Sequence, residues 1–209
     1  MVREVWPYLI VGGAITAALA LFAHPLAALA AGGATVFVAA FFRDPARQVP
    51  LNPRHVLSPA DGRVVNIEEV DEEWGRVSRV SIFLSVFNVH VNRSPATGRI
   101  AAIRYTPGSF LPAFRPKASE LNERNMITME TEYGIVAVKQ IAGLIARRIR
   151  CWKREGESVS QGEKIGFITF GSRVDLYVPI DAELHIAVGD RVHGGTSRIA
   201  THAARKDAG

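Results

Sequence analysis

A single cysteine, Cys151, stands among 209 residues, so neither an internal disulfide nor a cysteine-based metal cluster can form. That suits a reducing compartment. Charge is missing altogether from Val5 to Phe42: these 38 residues contain no Asp, Glu, Lys or Arg and are interrupted only by His24-Pro25. Outside that run no long amphipathic helical pattern occurs, which argues against a helical bundle for the remainder. Metal-ligand spacing is also absent, since His55, His185, His193 and His202 are scattered, and no metal is expected.

The charge-free run predicts a membrane anchor. Val5 to Ala23 and Leu26 to Phe42 are each close to the ~20 residues that cross a bilayer as helix, and His24-Pro25 supplies the turn of a hairpin. Gly12, Gly13, Gly32, Gly33 and several alanines allow close helix approach. A cleaved signal peptide is the first rival, because "LAALAAGG" resembles a cleavage site; yet "TVFVAAFF" continues the apolar run beyond it. A single long, bent span is the second. Arg3 before the run and Arg43, Arg47 and Arg54 after it place both ends, and the domain that follows, in the cytoplasm. A formal charge of +5 favours an anionic partner, and with an anchor present a membrane surface is expected rather than nucleic acid.

From Arg43 the chain becomes β-rich. "VLSPADGRVVNI" (56–67) reads as a hairpin about Asp61-Gly62, "VSRVSIFLSVFNVHVN" (77–92) as one long strand, and 126–149 as strands around Tyr133-Gly134. Residues 107–125 read as a loop with room for a short helix. Two internal echoes organise the domain. Ser58-Pro-Ala-Asp-Gly-Arg-Val64 returns as Ser94-Pro-Ala-Thr-Gly-Arg-Ile100, and Gly-x-x-Val-x-x-Gly occurs at Gly156, Val159, Gly162 and at Gly189, Val192, Gly195. Such echoes predict related strand-turn units folded against each other. The fold class is therefore mainly β, resembling the barrel-sandwich of lipoyl and biotinyl domains but without their carrier lysine at a hairpin tip.

Three residues carry candidate chemistry. Asp61 replaces the Thr97 of its echo, so either it makes the turn alone or its carboxylate has a further task. In "VFNVHVN" strand alternation sets His90 on the polar face with Asn88 and Asn92, facing either solvent or a hydrogen-bonded site. In "FITFGSRVDLYVP" a strand pattern breaks at Gly171-Ser172 and resumes with Val174, Leu176 and Val178 alternating against polar residues; a bulge is the plain reading. Asp61, His90 and Ser172 are together the residue types of a hydroxyl activated by an imidazole that a carboxylate orients.

"SPADGRV", "FNVHVNR", "NERN", "QIAG" followed by "ARRI", and above all "FGSRVDLYVP" resemble the short, membrane-associated form of prokaryotic phosphatidylserine decarboxylase, over residues 43 to 200. The resemblance implies a proenzyme that cuts itself between Gly171 and Ser172 into a β chain, 1–171, and an α chain, 172–209, which stay together as a heterodimer. Ser172 then becomes a covalent pyruvoyl cofactor that forms a Schiff base with phosphatidylserine and releases carbon dioxide and phosphatidylethanolamine at the inner membrane. Arg147 and Arg148 are candidates for the lipid phosphate. Longer family members carry a histidine three residues before the one matched by His90; Phe87 stands there and cannot donate a proton. The residues themselves leave two alternatives: a membrane-anchored serine hydrolase built on Asp61, His90 and Ser172, and a tethered adaptor without chemistry.

Overall fold

The computed structural model describes residues 1–22, 24–111, 118–143, 148–169 and 172–203. The chain divides into two compact units, Met1–Ala46 and Arg47–Gly209.

In the first unit a 3-10 turn, Arg3–Val5, leads into α1 (Trp6–Leu21), and α2 (Pro25–Phe41) follows. Pro7 and Pro25 occupy first-turn positions, where the absent N–H leaves no helical bond unmade. The helices run antiparallel: the Val2 amide donates to the Phe42 carbonyl at 3.1 Å, and Tyr8 stacks on Phe42. A Cβ on Gly12 would lie 2.5 Å from Thr35 Oγ1, so the small residue is what permits this approach. Thr16 and Thr35 return their hydroxyl protons to carbonyls of their own helices. Ile10, Val11, Ile15, Leu21, Leu26, Leu29 and Val36 are exposed. Arg3–Leu21 is long and apolar enough to cross a membrane, while Pro25–Phe41 is shorter.

The second unit is mainly β. In chain order it contains β1 (His55–Leu57), β2 (Gly62–Glu72), β3 (Gly75–Leu84), β4 (Val91–Arg93), β5 (Gly98–Thr106), α3 (Ala118–Leu121), β6 (Arg124–Thr131), β7 (Gly134–Ile141) and β8 (Ile149–Cys151). It continues with β9 (Ser158–Val159), β10 (Lys164–Ile168), β11 (Ser172–Pro179), β12 (Glu183–Leu184), β13 (Arg191–Val192) and β14 (Arg198–Thr201). An eight-stranded sheet, β13-β2-β3-β11-β7-β6-β5-β9, curls around a core that draws Val64, Ile82, Ile100, Ile127, Val138, Val174, Leu176 and Val178 into one cluster. Two three-stranded sheets, β1-β14-β12 and β4-β10-β8, complete the unit.

Two of the sequence expectations need correcting. The flanks of Asp61-Gly62 do not pair as a hairpin: β1 pairs with β14, while β2 pairs with β3 and β13. The run from Val77 to Asn92 is also not one strand, because Asn88 Oδ1 accepts from both the Ser85 amide (2.9 Å) and Ser85 Oγ (2.8 Å), which folds 85–88 into a turn.

The echoes, in contrast, fold against each other as a pseudo-symmetric pair. Ser58 Oγ donates to the Ala60 carbonyl and Ser94 Oγ to the Ala96 carbonyl, both at 2.7 Å. Gly195, with φ +74°, donates its amide to the Ser58 carbonyl, and Gly162, with φ +78°, donates to Ser94; both distances are 2.8 Å. These left-handed conformations explain the final glycine of each Gly-x-x-Val-x-x-Gly. Gly62 then pairs with Val192, and Gly98 with Val159. A Cβ on Gly62 would meet the Phe83 carbonyl at 2.3 Å; one on Gly98 would meet the Glu130 carbonyl at 2.4 Å.

Candidate active site

Ser172 opens β11, a strand hydrogen-bonded on both sides, to β3 and to β7. Its Cα partner is Leu84, the last residue of β3. The residue is fully buried, and its Oγ makes no hydrogen bond among the described residues. Leaving a buried hydroxyl unsatisfied costs about 1–3 kcal/mol, so its position calls for a reason. Gly171, like Phe170, lies outside the described residues.

His90 follows the turn at 85–88 and is also fully buried, contrary to the solvent-facing reading of strand alternation. Its Nδ1 lies 2.9 Å from the Asn88 carbonyl. A carbonyl can only accept, so Nδ1 carries a proton, and in the neutral ring Nε2 keeps the lone pair. The His90 carbonyl receives the Ile168 amide at 3.3 Å, and its ring lies 6.4 Å from that of Phe167. The pairing of β4 with β10 thus holds His90 beside the segment that leads to Ser172.

Asp61 stands at the start of β2, where Arg63 pairs with Phe83, the neighbour of Leu84. Asp61 and Ser172 therefore flank the same end of β3. The carboxylate does not bond to His90: it accepts from Arg47 Nη2 at 2.8 and 2.9 Å, from the Gly194 amide at 2.8 Å, and faces His193 Nδ1 at 3.4 Å. The expected orientation of the imidazole by Asp61 is met instead by the backbone of Asn88. The echo separates the two tasks of Asp61. Thr97 Oγ1 accepts the Gln161 amide at 3.0 Å as Asp61 accepts that of Gly194, so this bond is turn-making. The contacts with Arg47 and His193 are what the carboxylate adds.

Immediately behind Ser172, the opposite face of β11 carries a buried ion pair. Arg173 Nε donates to Asp175 Oδ1 at 2.6 Å, Ser119 Oγ donates to Asp175 Oδ2 at 2.6 Å, and Arg173 Nη2 donates to Ser81 Oγ. On the other side of the site, Asn125 Nδ2 donates to Gln140 Oε1 and Gln140 Nε2 to Asn92 Oδ1, while Asn122 Nδ2 donates to the Ala142 carbonyl. The amides of "NERN", "QIAG" and "FNVHVNR" form this buried network, which braces β4, β6 and β7 around the serine.

The family model described as phosphatidylserine decarboxylase matches residues 34–200. The chain belongs to this family. Curated relatives named phosphatidylserine decarboxylase proenzyme include those of Burkholderia lata and Burkholderia cenocepacia, each 43% identical over 95% of this chain and 94% of theirs. A third, from Burkholderia ambifaria, is 42% identical over the same shares. The chain is thus a decarboxylase-family enzyme.

Sequence reasoning passed over Arg47, Asn88 and His193. The sequence presents Arg47 only as a topological charge. His193 lacks metal-ligand spacing, although its position one residue after Val192 of the second echo is a usable signal. Asn88 acts through its carbonyl, which no side-chain pattern reveals. Arg147 lies outside the described residues; Arg148 is exposed, and its carbonyl accepts from the Thr169 amide at 3.3 Å.

Proposed function

We propose that the chain is a self-cleaving proenzyme that becomes a pyruvoyl-dependent phosphatidylserine decarboxylase. The observation that carries this reading is Ser172: a buried hydroxyl without a hydrogen-bond partner among the described residues, at the first position of a central strand. His90, its tautomer held by Asn88, takes the hydroxyl proton on Nε2. Oγ attacks the carbonyl carbon of residue 171, the peptide C–N bond breaks with the nitrogen protonated, and an ester remains. Loss of the Ser172 Cα proton expels the residue-171 carboxylate and leaves dehydroalanine; water then replaces its nitrogen, releasing ammonia and leaving the ketone. Asp61, at the same end of β3, supplies negative charge near the imidazolium as it forms.

The fit of the residues to a pyruvoyl group rests on β11. Because Ser172 begins that strand, a cut before it leaves the new terminus pinned between β3 and β7. The small fragment also contains β12, β13 and β14, whose partners include β1 and β2, so the two chains remain interleaved. The ketone would act as an electron sink for the carbon–carboxylate bond of an amine-bearing substrate. The hydrolase alternative instead predicts an uncut chain with a reactive Ser172. The apolar helices α1 and α2 seat the chain in the inner membrane, with the β unit on the cytoplasmic face where phosphatidylserine is presented.

Denaturing mass measurement of purified protein tests the reading. Fragments 1–171 and 172–209 are expected, the smaller blocked to Edman chemistry, while Ser172→Ala gives one chain and no carbon dioxide from labelled phosphatidylserine. An intact wild-type chain, or decarboxylation by Ser172→Ala, overturns it.

A further inference from the structure

The pseudo-symmetry of the two echoes fails at one exposed place. In one copy Arg99 pairs with Ser158 across β5 and β9, and Arg99 Nε donates to the Gly156 carbonyl at 3.1 Å. In the other, Arg63 pairs with Arg191 across β2 and β13. Neither guanidinium has an ion-pair or hydrogen-bond partner among the described residues, and both side chains are exposed. The neighbouring carboxylates are engaged elsewhere: Asp61 with Arg47, and Asp190 with the Ala187 amide at 2.8 Å. Like charges directly opposite on a sheet repel. Two unpaired arginines in register are therefore an unfavourable arrangement unless an anion lies between them.

They line a cleft of about 530 Å³ together with Gly62, Phe83, Phe87 and His193. Asn88, whose carbonyl holds His90, forms part of the same wall, and Ser85 follows the Leu84 that pairs with Ser172. Phe87 is 73% exposed at this cleft. A basic pair beside an exposed aromatic, at the end of β3 whose Leu84 pairs with Ser172, suits an amphiphile with an anionic phosphate.

We propose that Arg63 and Arg191 together bind the phosphodiester of the lipid headgroup, holding its amino-acid end at the edge of the sheet where β3 ends, with Phe87 against the glycerol and acyl carbons. This rests on the decarboxylase reading and adds the subsite. Planar guanidinium donors match phosphate oxygens in pairs, which an ammonium does not.

Decarboxylation of dihexanoyl-phosphatidylserine in neutral detergent, by self-cleaved full-length protein, is the test. Arg63→Gln and Arg191→Ser should each raise KM roughly tenfold, with kcat changed less than about twofold. Arg63→Lys should recover only part of the loss, and Arg99→Gln, in the other copy, should leave KM unchanged. Arg191→Ser, which copies Ser158, should also raise the melting temperature by about 1–4 °C as repulsion is relieved; a merely structural arginine would lower it. Inorganic phosphate should compete in wild type and not in the double variant Arg63→Gln/Arg191→Ser. Phosphorus NMR showing phosphate bound at the pair without competition would assign the site to free phosphate and overturn the proposal. So would an active double variant with unchanged KM. Failure of the decarboxylase reading would look different: a chain that is never cut. In that case calorimetric binding of the short-chain lipid to Ser172→Ala protein, lost in the double variant if the subsite is real and retained if it is not, still decides the matter.

Discussion

Replacing Asp61 by threonine asks what a carboxylate does that its own echo manages without. Threonine retains an acceptor for the Gly194 amide, as Thr97 does for Gln161, so the turn survives. Lost is the contact with Arg47, whose side chain is 15% exposed beside a carboxylate that is 9% exposed. A charged hydrogen bond contributes about 1.5–3 kcal/mol, and removing one partner of a fully buried pair costs about 3–5 kcal/mol. The modest exposure here places Asp61→Thr at about 2–3 kcal/mol. For a chain of this size that is a fall of roughly 4–12 °C in melting temperature. Adding Arg47→Met removes the stranded guanidinium and should recover about half the loss. The assay is thermal unfolding of the uncut Ser172→Ala chain in detergent, followed by gel analysis of self-cleavage with Ser172 restored. A double variant no more stable than Asp61→Thr would refute the ion-pair argument. Cleavage at the wild-type rate in Asp61→Thr would refute a chemical role for the carboxylate and leave it structural.

Asp175→Asn should cost about 3–5 kcal/mol, because Arg173, only 2% exposed, would keep its charge without a counter-ion; chemical denaturation of the Ser172→Ala chain reads this directly. Gly98→Ala should destabilise by about 1–3 kcal/mol through collision with the Glu130 carbonyl while leaving the cleavage site correct, as mass measurement would show. His202 is buried and stacked on Tyr133, and burial holds its pKa below the ordinary 6.5, with Arg54 adding to this and Asp181 opposing it. A histidine so lowered costs nothing above 6.5; as pH falls below 6.5 the unfolded chain takes its proton first and stability declines until the folded pKa is passed. His202→Phe should therefore flatten the acid limb of the melting-temperature profile relative to wild type, and an unchanged difference from pH ~7.5 to ~5 would count against it.

Much of the architecture was legible because its signals are local or repeated. The charge-free run and Pro25 mark two helices, and the echoes, expected to be related strand-turn units folded against each other, are held by equivalent bonds from Gly162 and Gly195. The alternation of Val174, Leu176 and Val178 placed those residues in the core. Partner choice was not legible. Asp61-Gly62 has the composition of a hairpin turn, yet β2 finds β3 and β13, since sheet order depends on contacts far along the chain. Alternation could not choose between solvent and a hydrogen-bonded site for His90, because it assumes an unbroken strand, whereas Ser85 and Asn88, both turn formers, break it three residues apart. The orientation of its imidazole was illegible for a different reason: a backbone carbonyl carries no side-chain signature.

Pseudo-symmetry offers a way to tell scaffold from function without any homologous sequence. Where both copies make the same bond, as in the Ser58 and Ser94 turns or the Gly62 and Gly98 close approaches, folding alone accounts for the residue. Where they differ, folding has been satisfied once by the simpler residue and does not require the other. Asp61 against Thr97, Arg191 against Ser158, and free Arg63 against tethered Arg99 are such differences, and all three special residues fall in one copy. That copy is the one beside Leu84 and Ser172. A scaffold under stability constraint alone would accumulate charged substitutions in either copy; their collection at the end of the sheet that bears the serine is what a single reaction centre requires. Exchanging the differences therefore has an asymmetric outcome. Installing Thr97→Asp and Ser158→Arg in the plain copy should lower the melting temperature and add no turnover, because no nucleophile lies at that end, whereas Arg191→Ser in the special copy should raise the melting temperature at the expense of KM.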